Sequence, residues 1–561
     1  MTLPRLLERA ARPTLVLLDV GAPRVQHPGV TTSVVGDPVV GDDHRWGCVV
    51  LVVADAAALR RVGARPPHVG RARAVVAWLD AAASPVVPDP RPEWPEVIEV
   101  DAHLTAAGGA VTRLRFRTAA LVHEVLGQLA RDAGSPGVAG AGGLVVGSDP
   151  GPDVTVPPDV LVGPAPPAGP PAGPHPVTGR RPVTMPDDPA PAVDEGVFTP
   201  AGFRRDVGRD VVDLPDGSVT PATVEALRDA RGVRVGRQAR AYDVAALALA
   251  GVPLVGGSDL VGLDERLDER LAGLLAAEVD LGDPLRREEH SVRLRRAART
   301  AHSTLARRQR LGERAGVRTV GLPSVSVLLA TRRPDLLPFA LTQVAKQARP
   351  VELVLAAHGF TPDPAVVRDR LGDRQCQLLS LPGATRFGDV LQAAADAASG
   401  DLVLKMDDDD WYGPDVVDDL VWARRTSGAD LVGMAAEMVY LEPIGVTVRR
   451  RGTAETAARV VAGGTLLLER TRLRELGGFR SVTRFVDAQL LAAVLRAGGT
   501  VHRTQGLGYL LRRGSTGHTW STDLAYFLRR RSVVAQWRGF RPSELLTYDA
   551  AELPPPPGLA A

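Results

Sequence analysis

Four consecutive carboxylates, Asp407-Asp408-Asp409-Asp410, follow Gly400-Asp401-Leu402-Val403-Leu404-Lys405-Met406 and lead into Trp411-Tyr412-Gly413-Pro414. The first part alternates, with Leu402, Leu404 and Met406 on one face and Val403 on the other, which predicts a short strand. Gly413-Pro414 is a turn signal. Adjacent aspartates repel one another and aspartate is disfavoured in strands, so a fold that keeps this run at a strand end needs a cation to neutralise it. Hard divalent ions such as Mg2+ or Mn2+ take oxygen ligands and leave positions open for phosphate oxygens. The simpler reading is a solvated acidic turn, and the surrounding C-terminal sequence decides between the two.

A chain of 561 residues is too long for one core, so two to four domains are expected. Its 45% hydrophobic and 24% charged residues are those of a soluble globular protein. The formal net charge of +2 argues against a polyanion partner, and no nucleic acid is expected. Of 67 basic residues only Lys346 and Lys405 are lysines, which reads as a compositional preference for arginine. Cys48 and Cys376 form no metal-ligand spacing, so no disulfide framework is expected and a reducing compartment fits. The start, Met-Thr-Leu-Pro-Arg-Leu-Leu-Glu-Arg, lacks the apolar core of a signal peptide. No apolar run reaches the ~20 residues that span a bilayer. The expectation is a cytoplasmic protein, with peripheral contact at the inner face of the membrane as the alternative.

Residues 1–147 carry short apolar runs, such as Thr14 to Val20 and Val49 to Val53, alternating with helix-like stretches such as Thr118 to Asp132. That pattern predicts an α/β region with buried, mostly parallel strands. Residues 148–195 are rich in proline and glycine, as in Pro164-Ala165-Pro166-Pro167-Ala168-Gly169-Pro170-Pro171. They favour extended polyproline conformations and read as a linker. Limited proteolysis is therefore expected to cut first between residues 150 and 195; a first cut inside 325–500 would contradict this domain scheme. Residues 196–320 form a further α/β piece ending in basic helices. Within it, Tyr242 to Val255 reads as helix, tight turn and strand, and resembles the late αβ unit of GT-B-type glycosyltransferases; a generic αβ unit with a glycine cap reads equally well. From Leu285 to Gly316 there are ten arginines against three glutamates, with Leu294, Ala298, Ala301 and Leu305 at helical spacing. A solvated helix is expected there, with anionic lipid headgroups as the alternative contact.

The texture changes at residue 321. Ser324 to Ala330 reads as a buried strand, Thr331-Arg332-Arg333-Pro334-Asp335 as a loop, and Leu336 to Val344 as a helix. Val351 to Ala357 and Gln377 to Leu381 are the next strands, and the helix Asp389 to Ser399 leads into the acid strand. Such a succession is a mononucleotide-binding α/β arrangement whose ligands lie off the carboxyl ends of its strands. A domain is expected over 321–545, with a flexible tail at 546–561.

In four ordered features this domain resembles the family-2 glycosyltransferases, which have the GT-A fold. They are Val325 to Asp335, the acidic run Met406 to Tyr412, the turn Leu476-Gly477-Gly478-Phe479, and Asp487. The resemblance implies a metal-dependent, inverting transfer of sugar from a nucleotide-sugar donor, with a UDP-sugar expected first and Mn2+ or Mg2+ as cofactor. The acceptor would be a glycan, a lipid-linked or a small molecule, in cell-surface glycan or glycoconjugate synthesis. Two registers of the acidic run fit, Asp407-x-Asp409 and Asp408-x-Asp410. The family pattern favours Asp407 for the ribose and Asp409 for the metal, with Asp410 close by, and it places Thr331, Arg332 and Asp408 at the nucleotide.

Transfer also needs a base for the acceptor hydroxyl. By position in the family that base is Asp487, whose alternative reading is a helix N-cap; Glu437 is the next candidate. His518, in the loop Gly514 to Trp520, is a further candidate ligand for metal or phosphate. The chain departs from the family in having Ala356-Ala357-His358-Gly359 where an aspartate usually reads the base, so His358 stands in its place. It also lacks the Gln-x-x-Arg-Trp of processive members, which favours single additions. The segment Ser521 to Arg538 is expected to be an amphipathic helix. A nucleotidyltransferase and an inactive sugar-nucleotide-binding scaffold are the competing functions; the former would need a glycine-rich phosphate loop, which is not found after Val325.

Overall fold

The computed structural model describes residues 190–205, 207–236, 238–256, 265–315, 322–514, 523–549 and 552–553. It also describes parts of 3–133 and three short strands between 146 and 185. The chain divides into two compact units, one of Met1–Asp194 with Ala301–Leu322, the other of Glu195–Thr300 with Pro323–Ala561. That division differs from the boundary read at 320/321. Residues 195–300 bury their ionic and apolar groups against the C-terminal domain, and no such contact is visible in local sequence.

The first unit contains a six-stranded sheet in the order Val30–Val34, Thr14–Leu18, Arg45–Val53, Arg71–Leu79, Ala110–Leu121, Val97–Leu104. The first four strands are parallel and the last two join antiparallel. Along Arg45–Val53, Val49, Leu51 and Val53 face one apolar cluster while Cys48, Val50 and Val52 face another. Both faces are covered, which is why the run is apolar throughout rather than alternating. The helix expected from Thr118 begins at Val122, because residues 118–121 complete the preceding strand. Within the range 148–195 read as a linker, Val160–Val162 and Val183–Met185 are strands of a small parallel sheet with Val146–Gly147; residues 190–195 are also described, and the rest lies outside the described residues.

In the second unit, residues 195–300 carry a three-stranded parallel sheet, Val211–Asp213, Gly232–Val235 and Leu254–Gly256. The helix Ala241–Leu249 ends before Gly251, whose φ of +78° turns the chain into the strand Leu254–Gly256. The basic helix Pro284–His302 is neither solvated nor a lipid-facing element through residue 300. Arg296 pairs with Asp415 and Asp419 at 2.6 Å each, and Arg299 with Asp419 at 2.8 Å. Burial alone would push the Asp419 carboxyl up, but the two guanidinium groups hold it below the ordinary range. Arg295 reaches Glu455, and Glu288 of the same helix joins Arg205 and Arg449. The charges that suggested an exposed helix are thus spent inside an ion-pair network, where losing one partner strands the other.

The C-terminal part of this unit is built on an eight-stranded sheet. Its parallel half runs in the order Cys376–Leu381, Glu352–His358, Val325–Thr331, Leu402–Met406. In chain order this is 3-2-1-4, so the sheet reverses direction of growth between Val325–Thr331 and Leu402–Met406, the point off whose carboxyl ends such sheets bind ligands. The antiparallel partner Leu466–Glu469 and the strands Leu431–Met434, Val501–Thr504 and Thr456–Ala457 extend the sheet beyond. A second sheet of five strands carries Trp411–Tyr412, Tyr509–Arg513, Met438–Leu441, Val446–Arg450 and Val533–Arg538. The last of these contradicts the helix expected over 521–538. Only Leu524–Phe527 is helical, and Val533 onward pairs antiparallel with Val446–Arg450, as suits two β-branched residues on an alternating edge. The expected tail at 546–561 is also partly fixed, since Leu546 is buried and Glu552 pairs with Lys346 at 3.0 Å. Among the described residues, no helix is long and apolar enough to cross a membrane.

Candidate functional site

The acid strand Leu402–Met406 is buried along its whole length, as its alternation requires for a strand with both faces covered. Its register beside Val325–Thr331, with Leu329 opposite Met406, brings the end of one strand to the end of the other. Thr331 donates its hydroxyl proton to Asp408, and Arg333 grips Asp408 and lies 3.0 Å from Asp409. Arg332, the neighbour expected at the nucleotide, points elsewhere and donates to the Gly383 carbonyl at 3.2 Å. Sequence reasoning missed Arg333, and only the direction of the loop after the strand distinguishes the two arginines.

The far end of the acidic run is anchored by burial. Trp411 and Tyr412 are fully buried, and Trp411 packs edge-on against Phe339 and Tyr440. Two such rings each remove roughly 150–250 Å² from water, which anchors the end of the acidic run against the repulsion of its carboxylates. Asp410 accepts from the Tyr509 hydroxyl and from the Arg512 amide. Burial pushes Asp410 well above the ordinary carboxylate range, with Asp409 and Asp407 adding to it. Asp409 is pushed up to about 6, chiefly by burial, with Asp408 and Asp407 also raising it and Arg333 pulling it down.

On the opposite side stands Asp487, in the first turn of the helix Val486–Arg496. The N-cap of that helix is Phe485, with φ +63°, so the alternative reading of Asp487 as the cap does not hold. Asp487 and the acidic run are separated by the Gly463–Thr465 turn. A Cβ on Gly463 would fall 2.4 Å from Asp487 Oδ2, and one on Gly464 would fall 2.6 Å from Tyr412 Oη and 3.0 Å from Asp407 Oδ2. Tyr412 Oη donates to the Gly464 carbonyl and accepts from the Asp407 amide. Lys405 links the two sides, with Nζ 2.6 Å from Asp407 Oδ1 and 3.2 Å from Asp487 Oδ1. The pair of glycines and Lys405 were not expected from the sequence.

The turn Leu476-Gly477-Gly478-Phe479 packs close by, where the Phe479 amide donates to Gln392 and Gly477 and Gly478 have φ of +81° and +71°. His358 closes the strand Glu352–His358; it is buried, its Nε2 has no hydrogen-bond partner, and burial and the nearby Arg332 keep its pKa below the ordinary value. Glu437, the second candidate base, is buried between Arg205 at 2.8 Å and Arg449 at 3.6 Å and accepts from the Gly506 amide. A carboxylate held that way belongs to the ion-pair network and faces no acceptor. His518 lies outside the described residues.

Among the described residues, no three imidazole, thiol or carboxylate side chains converge as a ready-made metal set. The donor chemistry nonetheless fits a hard cation. Asp407 to Asp410 and Asp487 bring five carboxylates against Lys405 and Arg333, and Asp409 and Asp410 stay raised in spite of their hydrogen bonds. Oxygen ligands with surplus negative charge suit Mn2+ or Mg2+ when phosphate oxygens complete the shell.

Gly464→Ala is expected to destabilise the second unit by about 1–3 kcal/mol, because the methyl group must displace Tyr412 or a carboxylate. Gly477→Ala, with open space around its Cβ, is expected to cost only ~1–2 kcal/mol through its positive φ and to leave nucleotide binding unchanged. Thermal unfolding with calorimetric binding of nucleoside diphosphate separates the two. Unchanged binding in Gly464→Ala would mean that the turn is free to move.

Residues 326–463 match the family model described as glycosyl transferase family 2. Among solved structures, a mannosyltransferase from Pyrobaculum calidifontis in complex with GDP-Man and Mn2+ aligns at 16% identity and a TM-score of 0.29. The alignment covers 35% of this chain and 59% of that one. The S. aureus protein TarS in complex with UDP-GlcNAc aligns at 15% identity and a TM-score of 0.29, over 36% of this chain and 62% of its own. The chain thus spans about three-fifths of the length of these structures. No curated protein sequence matches it.

Proposed function

We propose, from the match of residues 326–463 to the glycosyl transferase family 2 model, that the C-terminal domain moves a sugar from a nucleotide-sugar donor to an acceptor hydroxyl with inversion at the anomeric carbon. The observation that carries this reading is the meeting of two sets of carboxylates across the Gly463–Thr465 turn. Asp407 to Asp410 lie on one side and Asp487 on the other, joined by Lys405.

In this reading Asp407 holds the donor ribose, with Thr331 and Asp408 at the nucleotide. Arg333, already on Asp408 and Asp409, is the guanidinium closest to an incoming diphosphate. A divalent cation held by Asp409 and Asp410 supplies, when bound, charge stabilisation of the departing diphosphate worth several kcal/mol. Asp487 accepts the proton of the acceptor hydroxyl as its oxygen attacks, a role typically contributing ~10²–10⁴-fold. Attack from the face opposite the leaving diphosphate inverts the anomeric carbon. A UDP-sugar is the first donor class to test. The acceptor is a glycan, a lipid-linked or a small molecule, in the making of cell-surface glycans or glycoconjugates.

The test is to incubate the full chain with a panel of UDP- and GDP-sugars, with and without Mn2+, reading nucleoside diphosphate release and the unfolding midpoint. Cation-dependent release with at least one sugar is expected, together with a rise in midpoint because both ligands bind only the folded site. Neither release nor a shift with any donor would overturn the proposal. A shift without release would instead favour a binding scaffold.

A further inference from the structure

We infer that Lys405 is a positioning residue of this site, whose single ammonium ties the donor-side carboxylate Asp407 to the acceptor-side carboxylate Asp487 and holds the latter as an anion. The inference rests on the function proposed above, since it gives a partner to the base named there.

The geometry is that of three oxygens around one nitrogen. Lys405 Nζ donates to Asp407 Oδ1 at 2.6 Å and to the Gly463 carbonyl at 3.0 Å, and lies 3.2 Å from Asp487 Oδ1. These oxygens come from the end of the acid strand, from the glycine turn and from the helix Val486–Arg496. An ammonium presents three rotatable donors at one point, whereas a guanidinium is a planar fork with its donors spread apart. The glycine turn also lies close against the base, since a Cβ on Gly463 would meet Asp487 Oδ2 at 2.4 Å.

Composition now acquires a meaning that the sequence reading did not give it. Only two of the 67 basic residues are lysines. The other, Lys346, also places its ammonium between oxygens, 3.1 Å from the Thr547 carbonyl and 3.0 Å from Glu552 Oε2. Both lysines of this arginine-rich chain thus place a compact charge between oxygens.

Asp487 depends on that charge. Its Oδ1 is buried and makes no hydrogen bond of good geometry, so the ammonium is its compensation. The charged groups that face it are Lys405 from the acid strand and Asp407 from the residues just after it; the glycine turn contributes backbone alone. Burial raises the Asp487 carboxyl above its ordinary range, Lys405 draws it down and Asp407 pushes it up. Without the ammonium only the two raising influences remain, so a base needed as an anion would carry a proton to higher pH.

The experiment compares the full chain with Lys405→Met, Lys405→Arg, Asp487→Asn and the double variant Lys405→Met/Asp487→Asn. Nucleoside diphosphate release from UDP-N-acetylglucosamine and GDP-mannose with Mn2+ is followed from about pH 5.5 to 9. In Lys405→Met the acid limb of kcat/KM is expected to move up by about one pH unit or more, so that turnover falls roughly tenfold at pH 6.5 and recovers toward pH 9. Lys405→Arg should not restore it, and calorimetric binding of UDP or GDP should stay within about tenfold. Thermal unfolding without nucleotide should be non-additive, the double variant being more stable than the sum of the single changes predicts. A full-chain pH profile in Lys405→Arg, or additive unfolding effects, would overturn the inference. If the full chain releases diphosphate from neither donor, that result counts against the proposed function, and the unfolding cycle still decides whether Lys405 and Asp487 act as a pair.

Discussion

Asp487→Asn is expected to lower sugar transfer by a factor of about 10² or more while nucleoside diphosphate and Mn2+ binding stay unchanged. The substitution keeps the size of the side chain and removes its negative charge and its capacity to take a proton. Because Phe485 rather than Asp487 caps the helix Val486–Arg496, no capping hydrogen bond is lost. Folding stability near neutral pH should therefore change little, as the lost attraction to Lys405 is offset by relief of a desolvated charge beside Asp407. Turnover and calorimetric binding measured on the one variant decide the matter. Full turnover would remove Asp487 from the chemistry, and Glu437 is a poor replacement because two arginines already hold it.

Asp409→Asn is expected to abolish the rise in unfolding midpoint that Mn2+ and a nucleoside diphosphate should give the full chain. Unlike a structural aspartate, its removal should leave the unliganded protein equally or more stable. The sign follows from its pKa, pushed up to about 6 in the folded chain. A carboxyl whose folded pKa is raised stabilises the fold when protonated and costs stability as pH rises from its unfolded value near 4 to about 6. At neutral pH that cost is on the order of 2 kcal/mol, and a bound cation offsets it. The variant should thus lose the decline of stability between about pH 4 and 6 that the parent shows without cation. Thermal unfolding across pH, with and without Mn2+ and UDP, measures both effects. A large loss of unliganded stability would make the aspartate run structural.

The placement of the carboxylates was legible in the chain itself. Alternation in Leu402 to Met406, a turn signal after Tyr412 and the β-rich runs before them are properties of neighbouring residues, and local periodicity reports them directly. The 3-2-1-4 order of the parallel strands was not legible there, because right-handed βαβ connections leave open on which side of Val325–Thr331 the acid strand joins. The strand and turn signals put Asp407 to Asp410 at the carboxyl end of Leu402–Met406, where the structure has them.

What only the tertiary structure decided concerns partners far apart in the chain. Arg333 rather than Arg332 meets Asp408, 75 residues away, because the loop after the first strand turns one side chain inward and its neighbour outward. Arg296 reaches Asp419 across 123 residues, which converts an apparently solvated basic helix into a buried one through residue 300. Residues 533–538 form a strand because an edge at Val446–Arg450 was free to pair, although their apolar spacing also suited a helix. Lys405 looked like a compositional remnant until Asp407, Gly463 and Asp487 were seen around its ammonium. Sequence alone determined which segments can form strands and where negative charge accumulates. The identity of the charges that answer it is set by packing, since an ion pair needs two groups close in space and places no requirement on their separation along the chain.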